Sequence, residues 1–240
     1  MLHTLLALAA VIAAGPSSPS SPSAKDRRYR ALSTNDLDDL ARVLRHRVAA
    51  VQLRIKKKDD LLQDSLRVVF AVVIDDKTVA TIAQLCTDIE GATIKGPQGM
   101  LAAKLVLLDT PRRVALFRTE KPLASIGLKP SQPLERDKRQ VDADVFALVN
   151  TDPGAGVLQG VITQVGREPE YEGHPRTSLE LSFGMPVFDA YTRWVGFARA
   201  VAWDRDRQML IPPDKVRLAR TATAAPAAAP EKPSRPWWAR

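Results

Sequence analysis

The sequence predicts an all-β fold with one short helix ahead of it. Apolar residues alternate with polar ones at Val51, Leu53 and Ile55, the spacing that puts every second side chain on one face of a strand. A β-branched apolar run over 66–74 stops at the turn-forming Asp75-Asp76-Lys77, and further short apolar runs follow, each ended by Gly, Pro or Asp, as far as Val216. With 240 residues, 45% of them hydrophobic, the chain can bury a substantial core, enough for one large β domain or two small ones. A sandwich and a barrel are equally compatible with this strand count.

Residues 1–14 are apolar apart from His3 and Thr4, and Val11-Ile12-Ala13-Ala14 ends in the small residues that a signal peptidase accepts. A signal peptide is therefore expected, with a secreted or periplasmic destination. Because no Lys or Arg precedes the apolar run, an uncleaved N-terminal anchor remains open. Residues 15–33 are rich in Pro and Ser at their start and read as a linker.

The folded domain is expected over 34–219. Ser33-Thr34-Asn35-Asp36 is a helix-capping cluster, and Leu37, Leu40, Ala41, Leu44 and Val48 follow at spacings of three and four, which predicts a helix over about 35–47. Its other face carries Asp38, Asp39, Arg42, Arg45 and His46 and reads as solvated. Strands are then expected at 51–55, 66–74, 78–86 and 102–109. Cys86, the single cysteine, lies in an apolar run and reads as a small buried hydrophobe, since one cysteine cannot form an internal disulfide. Residues 122–140 are Pro-rich and charged, a connection between two halves. Residues 220–240 are rich in Ala and Pro and are expected to be disordered, with Trp237 and Trp238 as a possible docking anchor.

The formal net charge is +8, but part of the excess sits before Leu32 and after Ala219, so it is weak ground for a nucleic-acid surface. Lys56-Lys57-Lys58 followed by Asp59-Asp60 is more simply a solvated hairpin tip. No His/Cys cluster stands at metal-ligand spacing, and neither a Walker loop nor a dinucleotide fingerprint occurs; no metal or cofactor is expected.

Five stretches carry a resemblance to a known family. Leu181-Ser182-Phe183-Gly184-Met185-Pro186-Val187-Phe188, with the apolar run after Arg193, resembles the nucleophile loop G-N-S-G-G-P-L-V of trypsin-like serine proteases. Ala83-Gln84-Leu85-Cys86 resembles the A-A-H-C stretch of that family, and 109–118 is similar to D-P-R-T-D-L-A-V-L-K of the bacterial Deg/Htr-type members. Residues 142–150 resemble G-D-W-V-L-A-I-G-N, and 209–216 resembles the closing G-F-A-I-P-x-D-x-V. The resemblance implies two perpendicular six-stranded antiparallel β-barrels, over about 48–118 and 142–218, with a cleft between them.

It also implies where the catalytic triad would fall, and this chain departs from the pattern at each place. Leu85 stands at the general-base position, although a shift of one or two residues would place Cys86 or Thr87 there. Arg113 stands for the acid, and Phe183 for the nucleophile. Phenylalanine has no atom that can attack a carbonyl, leucine cannot take a proton, and a guanidinium donates hydrogen bonds where a carboxylate would accept them. Leu181 further replaces a Gly of the oxyanion loop. The expectation is a catalytically inactive homologue that binds or regulates an extended peptide or protein partner, using Arg199, Ala200 and Val201 as the pairing edge. The alternative is a hydrolase with a relocated nucleophile, Ser182 or Ser178 with His174. A third possibility is an envelope module that touches acidic polymer or lipid through its basic ends.

Overall fold

The computed structural model describes residues 32–55, 66–154, 156–167, 173–199 and 208–224. The expected signal segment, most of the linker, the lysine-rich tip at 56–58, Ala200, Val201 and the residues after 224 lie outside the described residues.

Helix α1 (Thr34–Leu44) opens with a reciprocal cap: the Asp36 N–H donates to Ser33 Oγ at 3.2 Å, and the Ser33 N–H donates to Asp36 Oδ2 at 3.3 Å. It ends three residues before the sequence pattern suggests, and Val48, which completes the apolar stripe on paper, instead starts the first strand. The cause is tertiary. The His46 carbonyl accepts Lys129 N–H at 2.6 Å, His46 Nδ1 meets the Gly127 carbonyl at 2.6 Å, and Arg47 donates to the Pro130 carbonyl. These bonds draw the backbone out of the helix, and they also correct the solvated reading of His46, which is half-buried.

Strands β1 (Val48–Ile55), β2 (Leu66–Val73), β3 (Thr78–Ile82), β4 (Ile89–Gly96), β5 (Gly99–Asp109) and β6 (Val114–Thr119) close a barrel in the order β1-β2-β3-β6-β5-β4. A second set, β7 (Asp144–Leu148), β8 (Val157–Val165), β9 (Pro175–Thr177), β10 (Pro186–Asp189), β11 (Trp194–Arg199) and β12 (Gln208–Ile211), closes another. Read from its first strand, the second ring runs β7-β8-β9-β12-β11-β10, so both barrels share one connectivity. Two closed six-stranded antiparallel barrels with a short N-terminal helix are the expected fold, and are consistent with a trypsin-like double barrel.

The hairpin of β4 and β5 was not foreseen in full. Its signal was the Gly96-Pro97-Gln98-Gly99 turn between the alternating pairs Ala92/Ile94 and Leu101/Ala103. A second helix, α2 (Pro213–Ala224), is the other addition, and it continues past the expected domain end at 219. Pro213 at its first position, Asp214 in its first turn and an Arg-, Leu- and Ala-rich body favour it, while Val216 and Ala219 bury against the barrels.

Alternation divides the core. Val51, Leu53, Val69, Ala71, Ile94 and Phe117 fill barrel one, and Val145, Ala147, Val187, Val195 and Leu210 fill barrel two. Their strand neighbours point the other way, so that Val72, Ile82 and Leu116 meet Phe146, Phe188 and Phe197 in a seam between the barrels. Ala41 and Leu44 of α1, with Val216 and Ala219 of α2, join that seam.

The tight hairpin from β10 to β11 holds a strained residue. The Asp189 carboxylate accepts the N–H groups of Tyr191 at 3.0 Å and Arg193 at 2.8 Å and the Arg193 side chain at 2.7 Å, forcing Thr192 to φ 59°. A β-branched residue is disfavoured there by about 1 kcal/mol. Thr192→Gly is therefore expected to raise stability by about 1 kcal/mol, a melting-temperature gain of about 2–4 °C in a thermal unfolding scan.

Candidate functional site

Leu85 closes the 3-10 turn Ala83–Leu85, which follows β3. Arg113 sits in the turn between β5 and β6, and its carbonyl accepts the Ala83 N–H at 3.0 Å, so these two positions are neighbours. Phe183 lies in the loop before β10, next to Gly184. A Cβ built on Gly184 would stand 2.9 Å from Leu85 Cδ1 and 3.1 Å from Ile82 Cδ1. The loop thus presses its glycine, held at φ +85°, directly onto barrel one. Leu85 and Phe183 both pack on the apolar seam, while the Arg113 side chain turns into an adjoining crevice.

That crevice, about 120 Å³, is lined by Pro111, Arg112, Arg113, His174, Arg199, Ile211 and Lys215. Two residues singled out on separate grounds, Arg113 and Arg199, therefore share one wall. Arg113 adopts φ 62°, the left-handed region that a non-glycine side chain rarely enters. Asp109, the nearest acid in sequence, is already engaged. Its carboxylate accepts the Arg112 N–H at 2.9 Å and the Arg112 guanidinium at 2.7 Å, capping the β5–β6 turn.

His174 is 7% exposed and also borders a larger basic cavity of about 530 Å³ that includes Arg139, Arg167 and Arg176. Burial first, and then the positive charges of Lys215, Arg199, Arg139 and Arg113, push its imidazole down to about 4. At neutral pH the ring is uncharged. Burial likewise lifts the Cys86 thiol to about 12, and its Sγ donates to the Ile82 carbonyl at 3.4 Å, as suits a small buried hydrophobe.

The two serines are placed differently from His174. Ser178 follows β9 and His174 precedes it, so four extended residues, roughly 13 Å, separate their backbones. Ser178 Oγ accepts the Val161 N–H at 3.0 Å, and Ser182 is exposed. Neither serine lines a cavity at His174. Leu181 is buried among the barrel-two core residues, and its φ is not positive, unlike that of Gly184.

Arg139 was not singled out by any motif or spacing. Its side chain is fully enclosed, donating to the Gly173 carbonyl at 2.9 Å and the Leu134 carbonyl at 3.1 Å while pairing with Asp214 at 2.9 Å. It ties the barrel connection, the approach to His174 and the first turn of α2 together. Nothing distinguishes it from its neighbours Arg136 and Lys138 until the chain is folded. Among the described residues no group of three His, Cys, Asp or Glu side chains could hold a metal ion.

No protein-family model matches the chain, and a search of curated proteins finds no similar sequence.

Two outcomes test this geometry. Because the folded imidazole of His174 titrates below its ordinary value of 6.5, the unfolded chain takes up the proton first as pH falls. The stability that His174 contributes is intact above about pH 6.5 and is lost between there and about pH 4. His174→Gln should flatten that slope in urea melts across the range, and NMR should show one of the three histidine rings titrating near 4. Gly184→Ala should cost about 2 kcal/mol through its backbone and its Leu85 contact. With Leu85→Ala added, the combined loss should fall short of the sum of the single losses by about 0.5–1 kcal/mol.

Proposed function

We propose that the chain is a non-catalytic counterpart of the trypsin-like serine proteases, of the bacterial Deg/Htr type, that works as a peptide- or protein-binding or regulatory module of the cell envelope. Its main support is the contact between Leu85 and the Phe183-Gly184 loop. Where such an enzyme keeps a base, an acid and a nucleophile, this chain has an aliphatic side chain, a guanidinium and an aromatic ring, two of them packed into the seam.

Acid–base catalysis would need an imidazole that gains and loses a proton near neutral pH beside a hydroxyl. His174 is held neutral to about pH 4 among cations, and neither Ser178 nor Ser182 lines its cavities. Binding asks for less. Arg199 ends β11, whose described backbone is paired with β10 and β12, and lines the crevice with Arg113, so an extended peptide laid over the crevice would meet both guanidinium groups through its side chains or carboxylates. The envelope placement rests on the apolar stretch at 1–14.

A fluorophosphonate serine probe is expected to leave the full chain unlabelled beside a trypsin control. Labelling that disappears in Ser182→Ala or Ser178→Ala would replace this reading with that of a hydrolase. In a pull-down from an envelope extract, Arg199→Glu should weaken retention of cleft-bound partners about tenfold, or about 1.4 kcal/mol; retention equal to the wild type would remove the peptide-cleft part of the proposal.

A further inference from the structure

Separate elements each bring a cation to the crevice beside His174. Arg113 comes from the turn between β5 and β6, Arg199 from the end of β11 and Lys215 from the first turn of α2. All three are half-buried and line the space directly, so their charges reach it with less screening than fully exposed side chains would have. No Asp or Glu is among the described residues that line the crevice, and Asp109, the acid beside it in sequence, is engaged with Arg112.

Strand register places Arg199. It pairs with Met209 across β11 and β12, and Met209 pairs with Arg176 across β12 and β9, so the three side chains form one row on neighbouring strands. The Arg199 guanidinium donates to Met209 Sδ at 3.9 Å. Because Met209 and Arg176 line the larger basic cavity, Arg199 stands at the boundary between that cavity and the crevice.

Size and charge together set the class of occupant. About 120 Å³ takes a few water molecules or one compact oxyanion, and falls well short of the roughly 300 Å³ at which sites for drug-sized ligands begin. The positive field extends to His174, where burial first and then Lys215, Arg199, Arg139 and Arg113 disfavour the imidazolium. Guanidinium and ammonium groups converging on one small space suit a phosphate-type oxyanion, and a dianion gains more from them than a monocarboxylate does.

We propose that the crevice binds a dianionic oxyanion of the phosphate type, held by Arg113, Arg199 and Lys215. The source is free phosphate or the phosphoryl group of a monoester whose remainder lies in the larger cavity beyond Arg199. The site shares Arg113 and Arg199 with the peptide crevice but does not rest on peptide binding, since no peptide is needed to fill it. Helix α2 supplies a control. Its Val216, Arg217 and Arg220 face a separate, largely apolar cavity of about 580 Å³ that shares no lining residue with the crevice, so removing the exposed Arg217 changes net charge as Lys215 would without touching the site.

Inorganic phosphate, titrated into the full ¹⁵N-labelled chain near neutral pH at constant ionic strength, is the first probe. The backbone amides of Arg112, Arg113 and Lys215 are expected to move saturably, with a midpoint of about 0.1–1 mM. Lys215→Gln and Arg113→Gln should each raise that midpoint about tenfold, Arg217→Gln about twofold or less, and acetate should bind about tenfold more weakly than phosphate. Sulfate, which stays a dianion in acid, should raise the His174 titration from about 4 by about one pH unit. Phenyl phosphate separates the sources: tighter binding than phosphate names a monoester, and equal or weaker binding names the free anion. The proposal is overturned if these amides do not move saturably below about 10 mM, if acetate matches phosphate, if sulfate leaves the His174 titration unchanged, or if Arg217→Gln weakens binding as much as Lys215→Gln. It is also overturned if the chain binds phosphate only once Glu168, Glu170 and Glu172 are changed to Gln, which would assign the crevice to the chain's own acids.

Discussion

The apolar seam between the barrels governs the rest of the molecule. Each strand that reaches it must be hydrophobic on both faces, one turned into its own barrel and the other toward the partner barrel. In β2, Val69, Ala71 and Val73 point inward while Phe70 and Val72 face the seam. A slip of one residue would exchange the two sets, so the seam fixes register in both rings at once. Its aromatic members Phe146, Phe188 and Phe197 are essentially fully buried, each stabilising the fold by about 1.5–3 kcal/mol. The helices follow from the same need, since the seam's open side would otherwise face water, and α1 and α2 close it with Leu44, Ala41, Val216 and Ala219.

The seam also explains the character of the cleft. Leu85 and Phe183 extend its apolar packing out to the loop at Gly184. The polar groups are displaced to one side. There Arg113, Arg199 and Lys215 gather around a neutral His174, and Arg139 anchors the surrounding backbone from beneath. The left-handed backbone of Arg113 is held by its place between β5 and β6, where Asp109 caps the same turn.

Much of the fold was readable because strand alternation and turn residues are local signals. Ser33 to Asp36 announced the start of α1, and the order of the five family-like stretches implied two barrels. What could not be read depended on distant partners. The helix end at Leu44 is decided by carbonyls at 127 and 130, and α2 owes its place to burial against strands far away in sequence. Of the site, the pairing of Leu85 with the Phe183-Gly184 loop followed from the resemblance. The Arg139–Asp214 pair did not, because a buried arginine looks like any other in a charged segment.

Helix α2 has one more property. Lys215 faces the crevice that holds His174, and Val216, Arg217 and Arg220 face the apolar cavity, so a single rigid rod forms a wall of two chambers. Its first turn is pinned by Arg139 through Asp214. Any occupant that tilts this rod from one side alters the other chamber, and thermodynamic linkage makes the influence mutual and equal in size.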